Sequence, residues 1–134
     1  MVRNTVHCLS PASPALSGRK PLEWWADALD VLRDCPGEVT QRIGFALDEA
    51  QRGGKAGSAK PMNSIGKGVY AITTNHETET YRTFYVARFA EAVYCFYVVH
   101  KKATKGIDLP KYQKDLATAR YKEIVGWRKS EGLD

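Results

Sequence analysis

The sequence lacks the features that mark several large classes of protein. Its three cysteines are widely spaced and fit neither a disulfide framework nor a zinc-binding pattern. No apolar run approaches the roughly 18 residues that a membrane span requires, and the first twenty residues lack the apolar block of a secretory signal. We therefore expect a cytoplasmic protein with no membrane segment. Residues 1–19, rich in Ser, Pro and Ala, predict a flexible arm, and residues 20–134 predict a single domain.

Motifs for nucleotide and acyl chemistry are also missing. The chain has no G-x-x-x-x-G-K-[ST], no G-x-G-x-x-G after a strand and no G-x-S-x-G. The glycines of GKGVY precede a predicted strand, so they cannot present a helix N-terminus to a phosphate. Carboxylates that would hold magnesium are scarce in the basic part of the chain, and the three histidines are scattered. We expect neither a metal nor a cofactor.

Positive charge is concentrated in one segment. Between residues 51 and 105 there are nine Lys or Arg and three Asp or Glu, whereas the rest of the chain is about neutral. A basic surface indicates a polyanionic partner such as nucleic acid. Charge alone favours this interpretation no more than that of a solubilising surface.

Apolar spacing predicts three helices. The first runs from Trp24 to Arg33, and the second opens at Pro36 and ends near Gly53. A last helix begins at about Lys111, and one of its sides carries Leu116, Arg120, Ile124 and Trp127.

Three β-strands are predicted between the second and the last helix, at residues 69–74, 80–88 and 92–100. Their short connections indicate an antiparallel meander. The third strand is apolar at almost every position, so we expect it to be central and covered on both faces. The sequence therefore predicts an α+β fold.

The basic segment suits RNA cleavage without a metal. That reaction needs a base for the 2′-hydroxyl, cations for the phosphate and an acid for the leaving oxygen. His100, at a strand end beside two lysines, is a candidate base, although such a histidine often only bonds to backbone. Arg82 lies in a largely apolar strand, so its charge must be paired or face a groove. Tyr85 is a further candidate, but most tyrosines of this sheet are expected to serve packing.

Five segments together resemble one known family. They are WWADALDVLRDCP (24–36), IGFALDEAQRG (43–53), KPMNSIGKGVYAI (60–72), YRTFYVARF (81–89) and KKATKGI (101–107). In this order and spacing they resemble the phage-derived, HigB-like toxins of the RelE/ParE superfamily, over about residues 20–125. The resemblance implies two N-terminal helices packed on a twisted antiparallel sheet, with a C-terminal helix. It also implies an endoribonuclease toxin that cuts messenger RNA on the ribosome.

The same resemblance implies partners and site residues. A helix-turn-helix antitoxin of the XRE type would hold the toxin in a hetero-oligomer, and the toxin alone would be a monomer. Arg82 matches the family's strand arginine at the scissile phosphate, and Lys60 and the pair Lys101 and Lys102 match its lysines. The candidate catalytic residues are thus Arg82, Lys102, His100, Lys60 and Tyr85. The candidate contacts to RNA or the ribosome are Lys67, Arg88, Lys101, Lys105 and Lys55.

The chain also departs from the family pattern. Relatives tend to read L-H-A-F-Q-K-K where this chain reads FYVVHKK, so its histidine comes later. Asn63 replaces a common lysine and Ala71 a common glutamate. Two alternatives therefore stay open: a ParE-like inhibitor of DNA gyrase without nuclease activity, and a catalytically inactive phage-derived protein that only binds the antitoxin.

Overall fold

The computed structural model describes residues 19–102 and 110–133, and of Lys101 and Lys102 the backbone alone. Its elements, in chain order, are β1 (Leu22–Trp24), α1 (Ala28–Arg33), α2 (Gly37–Gln51), β2 (Ala59–Pro61), β3 (Val69–His76), β4 (Glu79–Val86), β5 (Val93–Lys102) and α3 (Lys111–Ser130). Residues 1–18 of the predicted arm, and Lys105, lie outside the described residues. None of the three described helices is long and apolar enough to cross a membrane.

The five described strands form one mixed sheet in the order β1-β5-β4-β3-β2. The meander β3-β4-β5 is antiparallel, as predicted, and β2 extends it antiparallel to β3. The expectation of a wholly antiparallel sheet is wrong at the other edge, where β1 runs parallel to β5. The described fold is therefore α+β, with a sheet that is mixed.

Strand β1 replaces the start of the predicted first helix. The Val93 N–H donates to the Pro21 carbonyl at 3.0 Å and the Trp25 N–H to the Cys95 carbonyl at 2.9 Å. These bonds pair the β5 edge, which would otherwise expose unsatisfied backbone groups. Ala26 then takes a positive φ of 55° and turns the chain. Helix α1 consequently begins at Ala28, four residues later than predicted.

Strand β2 lies within a predicted loop. It has three residues and places Lys60 opposite Ala71 of β3. Pro61 lies at its end, in keeping with the edge positions at which a sheet tolerates proline. A strand this short carries no alternating pattern, so the sequence did not reveal it.

Helices cover both faces of the sheet. On one face, which we call the helix-pair face, α1 and α2 pack on Ile72, Tyr81, Tyr85, Val93, Cys95 and Val98. On the other, the α3 face, helix α3 packs on Val69, Ala71, Phe84, Val86, Tyr94, Phe96 and Tyr97. Residues 93–98 of β5 are all buried and β5 lies inside the sheet, which confirms the prediction of an interior strand covered on both faces.

A β-bulge interrupts the pairing of β4 with β5. Phe84 pairs with Tyr97 and Tyr85 with Cys95, so Phe96 has no opposite residue on β4. The extra residue allows two consecutive aromatic side chains, Phe96 and Tyr97, to join the core beneath α3.

The buried side of α3 matches the predicted one in part, since Ile124 is buried and Trp127 packs against the core, but it is centred on other residues. Its buried residues are Gln113, Ala117, Tyr121, Ile124 and Arg128, whereas Leu116 is 40% exposed. A search for apolar spacing overlooks a stripe with polar residues at both ends. Arg128 belongs to it because it donates two hydrogen bonds to Glu91, at 2.6 and 2.9 Å.

Two glycines before β3 leave room for side chains that pack closely against them, one of which belongs to α3. A Cβ at Gly66 would lie 2.5 Å from the ring of Tyr121, and one at Gly68 would lie 2.7 Å from the Arg88 side chain. Gly68 also has a positive φ of 81°. The GKG sequence therefore serves packing, since both glycines leave room for neighbouring side chains.

Candidate functional site

The sequence-predicted catalytic residues divide between the two faces of the sheet. Side chains alternate along a strand, so Arg82 lies on the same side of β4 as buried Phe84, the α3 face. Lys60 lies on that face too, because it stands opposite Ala71. Tyr85 packs on the helix-pair face, and His100 stacks on Tyr81 there, with ring centroids 5.0 Å apart. The predicted set therefore does not form one site.

A group of three side chains, which we call the Glu79 cluster, lies where β4 begins and β5 approaches its end. The Glu79 carboxylate lies 3.2 Å from the His100 imidazole, measured from Oε1 to Nε2. The Tyr81 hydroxyl donates to the same oxygen at 3.3 Å. The His100 side chain is 50% exposed and that of Glu79 33%, so this pair is open to solvent.

In the Glu79 cluster, the His100 ring can accept a proton and the Glu79 carboxylate can hold that ring in position. Burial, and secondarily the negative charge of Glu79, raises the pKa of the Tyr81 hydroxyl, so Tyr81 stays protonated at neutral pH. It therefore donates to Glu79 and fixes one carboxylate oxygen. That oxygen faces an imidazole nitrogen, the arrangement in which a carboxylate orients a histidine for general base catalysis.

A second group surrounds a cleft of about 460 Å³, which we call the tyrosine cleft. It lies between the end of α2 and the neighbouring ends of β3 and β4. Its lining includes Gly53, Lys55, Gly68, Tyr70, Tyr85 and Arg88. The rings of Tyr70 and Tyr85 stack, with centroids 5.7 Å apart and planes 16° apart. Two cations and two aromatic rings thus share one concave surface.

Tyr85 supports this cleft from below. It is only 1% exposed, and burial, with a smaller contribution from Tyr70, raises its pKa to about 12. A phenol with such a pKa stays protonated at neutral pH and is a poor base. Its place under Tyr70 favours a packing role over the predicted catalytic one.

The predicted RNA-contacting residues near this cleft differ in how firmly hydrogen bonds hold their side chains. Arg88 donates from Nε to the Lys67 carbonyl and from Nη2 to the Tyr121 hydroxyl, each at 3.0 Å, so its guanidinium is held in place. Lys55 is exposed and makes only a long 3.4 Å hydrogen bond to the Ala59 carbonyl. Lys67 is exposed beside them. The structure thus gathers Lys55, Lys67, Arg88 and Tyr85 at one end of the molecule.

The remaining candidates lie elsewhere. The backbone register places Lys101 opposite Thr80 and Lys102 opposite Glu79, at the same sheet end as the Glu79 cluster. Arg82 stands on the α3 face between Thr73 and Val99 of the neighbouring strands. Within the described ranges, no group of three or more His, Cys, Asp or Glu residues is arranged to hold a metal ion.

Two residues of these sites were missed from the sequence. Glu79 stood in a predicted hairpin turn, but β4 begins there and the register brings it to His100. Tyr70 lies in a predicted strand, and its pairing with Tyr85 follows from the β3–β4 register, which the length of that hairpin loop could have revealed. The contact of Glu79 with His100 depends instead on the β4–β5 register, which a β-bulge shifts.

One comparison with known proteins gave a match. The family model described as phage derived protein Gp49-like (DUF891) matches residues 30–122, from within α1 to within α3. No curated protein and no solved structure matches the chain. The matched region contains β2 to β5, and with them the Glu79 cluster and the tyrosine cleft.

Proposed function

This chain belongs to the phage-derived Gp49-like family, which stands in the context of RelE-like toxin–antitoxin systems, and from that membership we propose a toxin of a type II system. Its activity in this proposal is metal-independent endonucleolytic cleavage of messenger RNA on the ribosome, as in HigB-like toxins. The observation that supports the activity best is the contact between Glu79 and His100, a proton-transfer pair open to solvent.

The proposed reaction uses the chain's own side chains. His100 takes the proton of a ribose 2′-hydroxyl while Glu79 orients the imidazole and stabilises the cation that forms. The 2′-oxygen then attacks the adjacent phosphorus, and the bond from phosphorus to the 5′-oxygen breaks. The leaving oxygen takes a proton from solvent. The products are a 2′,3′-cyclic phosphate and a 5′-hydroxyl end.

The proposed partners follow from the same family context. A helix-turn-helix antitoxin would bind the toxin in a hetero-oligomer, and the ribosome with its message would be the cytoplasmic target. The basic residues near the two sites support the second partner, because a phosphate backbone attracts lysine and arginine strongly at low salt. Co-expression with the neighbouring open reading frame, followed by co-purification, tests the first.

The activity is tested by brief induction of the chain in cells, with the ends of messages mapped before and after. The parent chain should produce new 5′-hydroxyl ends within coding regions. Glu79→Gln keeps the shape of the side chain but removes its charge, and should slow cleavage roughly a hundredfold or more, the range general base catalysis supplies. Glu77→Gln removes the same charge from the 80% exposed neighbour and should cleave like the parent.

Two results would contradict the proposal. Intact messages together with broken DNA would point to inhibition of gyrase, the alternative on the same scaffold. Full cleavage by a folded Glu79→Gln chain would show that the Glu79 cluster takes no part in the chemistry. Thermal melting of each variant separates a lost reaction from a lost fold.

A further inference from the structure

The tyrosine cleft lies on the same face of the sheet as the Glu79 cluster, near the other end of β4. Tyr81 and Tyr85 are four residues apart on one strand, which separates them by about 13 Å at the rise of a β-strand. Helix α2 packs on this face, with Ala46, Leu47 and Ala50 in its core. Because this helix covers the sheet between the two sites, the cleft is a surface separate from the Glu79 cluster.

The charges around the cleft favour an anion. Lys55 and Arg88 line it, and Lys20 donates two hydrogen bonds, at 2.6 and 2.9 Å, to the carbonyls of Ala87 and Phe89 beside it. Arg88 has five N–H donors, of which its two side-chain contacts use two. Its guanidinium also lies over the Phe89 ring, 4.3 Å from the centroid, so it is a cation fixed in position beside the cleft, with further N–H donors for a phosphate.

One carboxylate stands at the rim. Glu49 lies beside Gly54, with Oε1 3.3 Å from where a Cβ of that glycine would be. The nearby Asp48 is neutralised by ion pairs with Arg19 at 2.7 Å and Arg52 at 3.1 Å. The cleft therefore has two lining cations and one carboxylate at its rim. The negative charge of Glu49 would repel a bound anion.

The aromatic side of the cleft favours a flat ring. Tyr70 is partly exposed, whereas Tyr85 beneath it is buried, so part of the Tyr70 ring surface faces the cleft. Bases of single-stranded RNA bind proteins by stacking on such rings. Gly53 carries no side chain and nothing lies within 4 Å of where its Cβ would be, so a ligand can approach its backbone closely.

We propose that the tyrosine cleft binds one nucleotide, with its base on Tyr70 and its phosphate between Lys55 and Arg88. The nucleotide is a unit of single-stranded RNA, and this source rests on the proposed function. The cleft volume of about 460 Å³ lies in the range of small-molecule sites and accommodates a base with its sugar and phosphate.

The test measures binding of the purified full chain to a fluorescent 2′-O-methyl RNA hexamer, which cannot be cleaved through its 2′-oxygen. Tyr70→Ala should weaken binding roughly tenfold, the loss expected when one base no longer stacks on an aromatic ring. Tyr70→Phe keeps the ring and should bind like the parent. Lys55→Gln should reduce the slope of log affinity against log salt by about one, as loss of one phosphate contact does.

Two further variants sharpen the result. Lys114→Gln removes the same charge from an exposed position on α3 and should leave the salt slope nearly unchanged. Glu49→Gln should strengthen binding, because it removes the carboxylate at the rim. Weaker binding by Glu49→Gln would show that the carboxylate favours the bound RNA, so that no phosphate lies at this rim, and unchanged binding by a folded Tyr70→Ala would show that no base stacks there. Either result overturns the proposal.

Binding of nucleoside monophosphates and of inorganic phosphate to the same chain shows whether the bound nucleotide is a unit of RNA or a free nucleotide. Binding of the hexamer with little binding of monophosphates supports RNA. Tight binding of a monophosphate that the hexamer does not displace would overturn the RNA assignment in favour of a free nucleotide. Because the hexamer cannot be cut, a chain that binds it through Tyr70 yet leaves messages intact would refute the proposed nuclease and keep the cleft assignment.

Discussion

Arg82 and His100 lie on opposite faces of the sheet, although their backbones are neighbours. Strand β4 pairs Arg82 with Val99 and Tyr81 with His100, so the arginine belongs to the α3 face and the histidine to the helix-pair face. A single phosphate cannot be contacted by both side chains in this arrangement. In the proposed function the two residues therefore have different roles.

This separation predicts how substitutions at the two positions combine. Arg82→Ala should weaken binding of the ribosome or its RNA in a salt-dependent way, whereas His100→Ala should lower the cleavage rate at saturation. In the double variant the two losses should multiply to within about twofold, as independent sites do. Initial rates on ribosome-bound message, measured at several salt concentrations, give all three values.

Non-additive effects of the two substitutions would contradict this prediction. Residues that act as a unit on one phosphate show strongly non-additive effects. A double variant no slower than the slower single variant would thus show that Arg82 and His100 meet at one reacting group, and would contradict their assignment to opposite faces.

Cleavage should also continue when free magnesium is removed. In the proposed reaction the proton transfer belongs to His100 and Glu79, so no metal-bound water is needed. The measurement adds a chelator to the cleavage reaction while polyamines keep the ribosomes assembled, and sedimentation confirms their assembly. Loss of cleavage on intact ribosomes, restored by magnesium, would contradict the mechanism.

The sequence predicted the elements whose patterns are long. Helix α2 repeats Val39, Ile43 and Leu47 on one face, and the β3-β4-β5 meander is rich in β-branched and aromatic residues, so both were found close to their observed bounds. Strands β1 and β2 have three residues each and exist through their hydrogen bonds to β5 and β3. Such strands depend on tertiary contacts that no local pattern contains.

The two sites could be predicted only in part, because they too depend on tertiary contacts. Basic and aromatic residue types could be recognised, but a contact such as Glu79 with His100 depends on the register between two strands. A shift of one residue in that register moves a side chain to the other face. The sequence therefore indicated residue types suited to the proposed chemistry, whereas the contacts of Glu79 and Tyr70 are seen only in the structure.

Gly66 should tolerate no side chain. A Cβ there would lie 2.5 Å from the Tyr121 ring, and that ring is held by packing and by its hydroxyl, which donates to the Lys67 carbonyl at 3.1 Å. Gly66→Ala should therefore destabilise the chain by roughly 1–3 kcal/mol, the usual cost of overpacking. Gly126→Ala is the matched control, because nothing lies within 4 Å of a Cβ at that position in α3. It should stabilise by about 0.5–1 kcal/mol; denaturant unfolding measures both, and equal effects would refute the steric explanation.

The pair of Glu91 and Arg128 should make stability depend on acid pH. Burial alone would raise the pKa of Glu91, but hydrogen bonds from Arg128 and Tyr94 outweigh it and lower the pKa below its ordinary value of 4.5. A lowered carboxyl pKa contributes stability that is fully present above the ordinary value and is lost as pH falls through the folded one. Glu91→Gln should therefore destabilise the chain at pH 7 by roughly 1–3 kcal/mol, the scale of hydrogen bonds to charged groups.

That difference between parent and Glu91→Gln should shrink as the pH falls below about 4.5, because the parent carboxyl then becomes protonated too. Urea unfolding at a series of pH values measures it. Asp115→Asn breaks the exposed pair with Lys111, whose side chains are 66% and 85% exposed, and should change stability by less than about 1 kcal/mol. A gap between parent and Glu91→Gln that stays constant down to acid pH would show that the charge of Glu91 does not stabilise the fold.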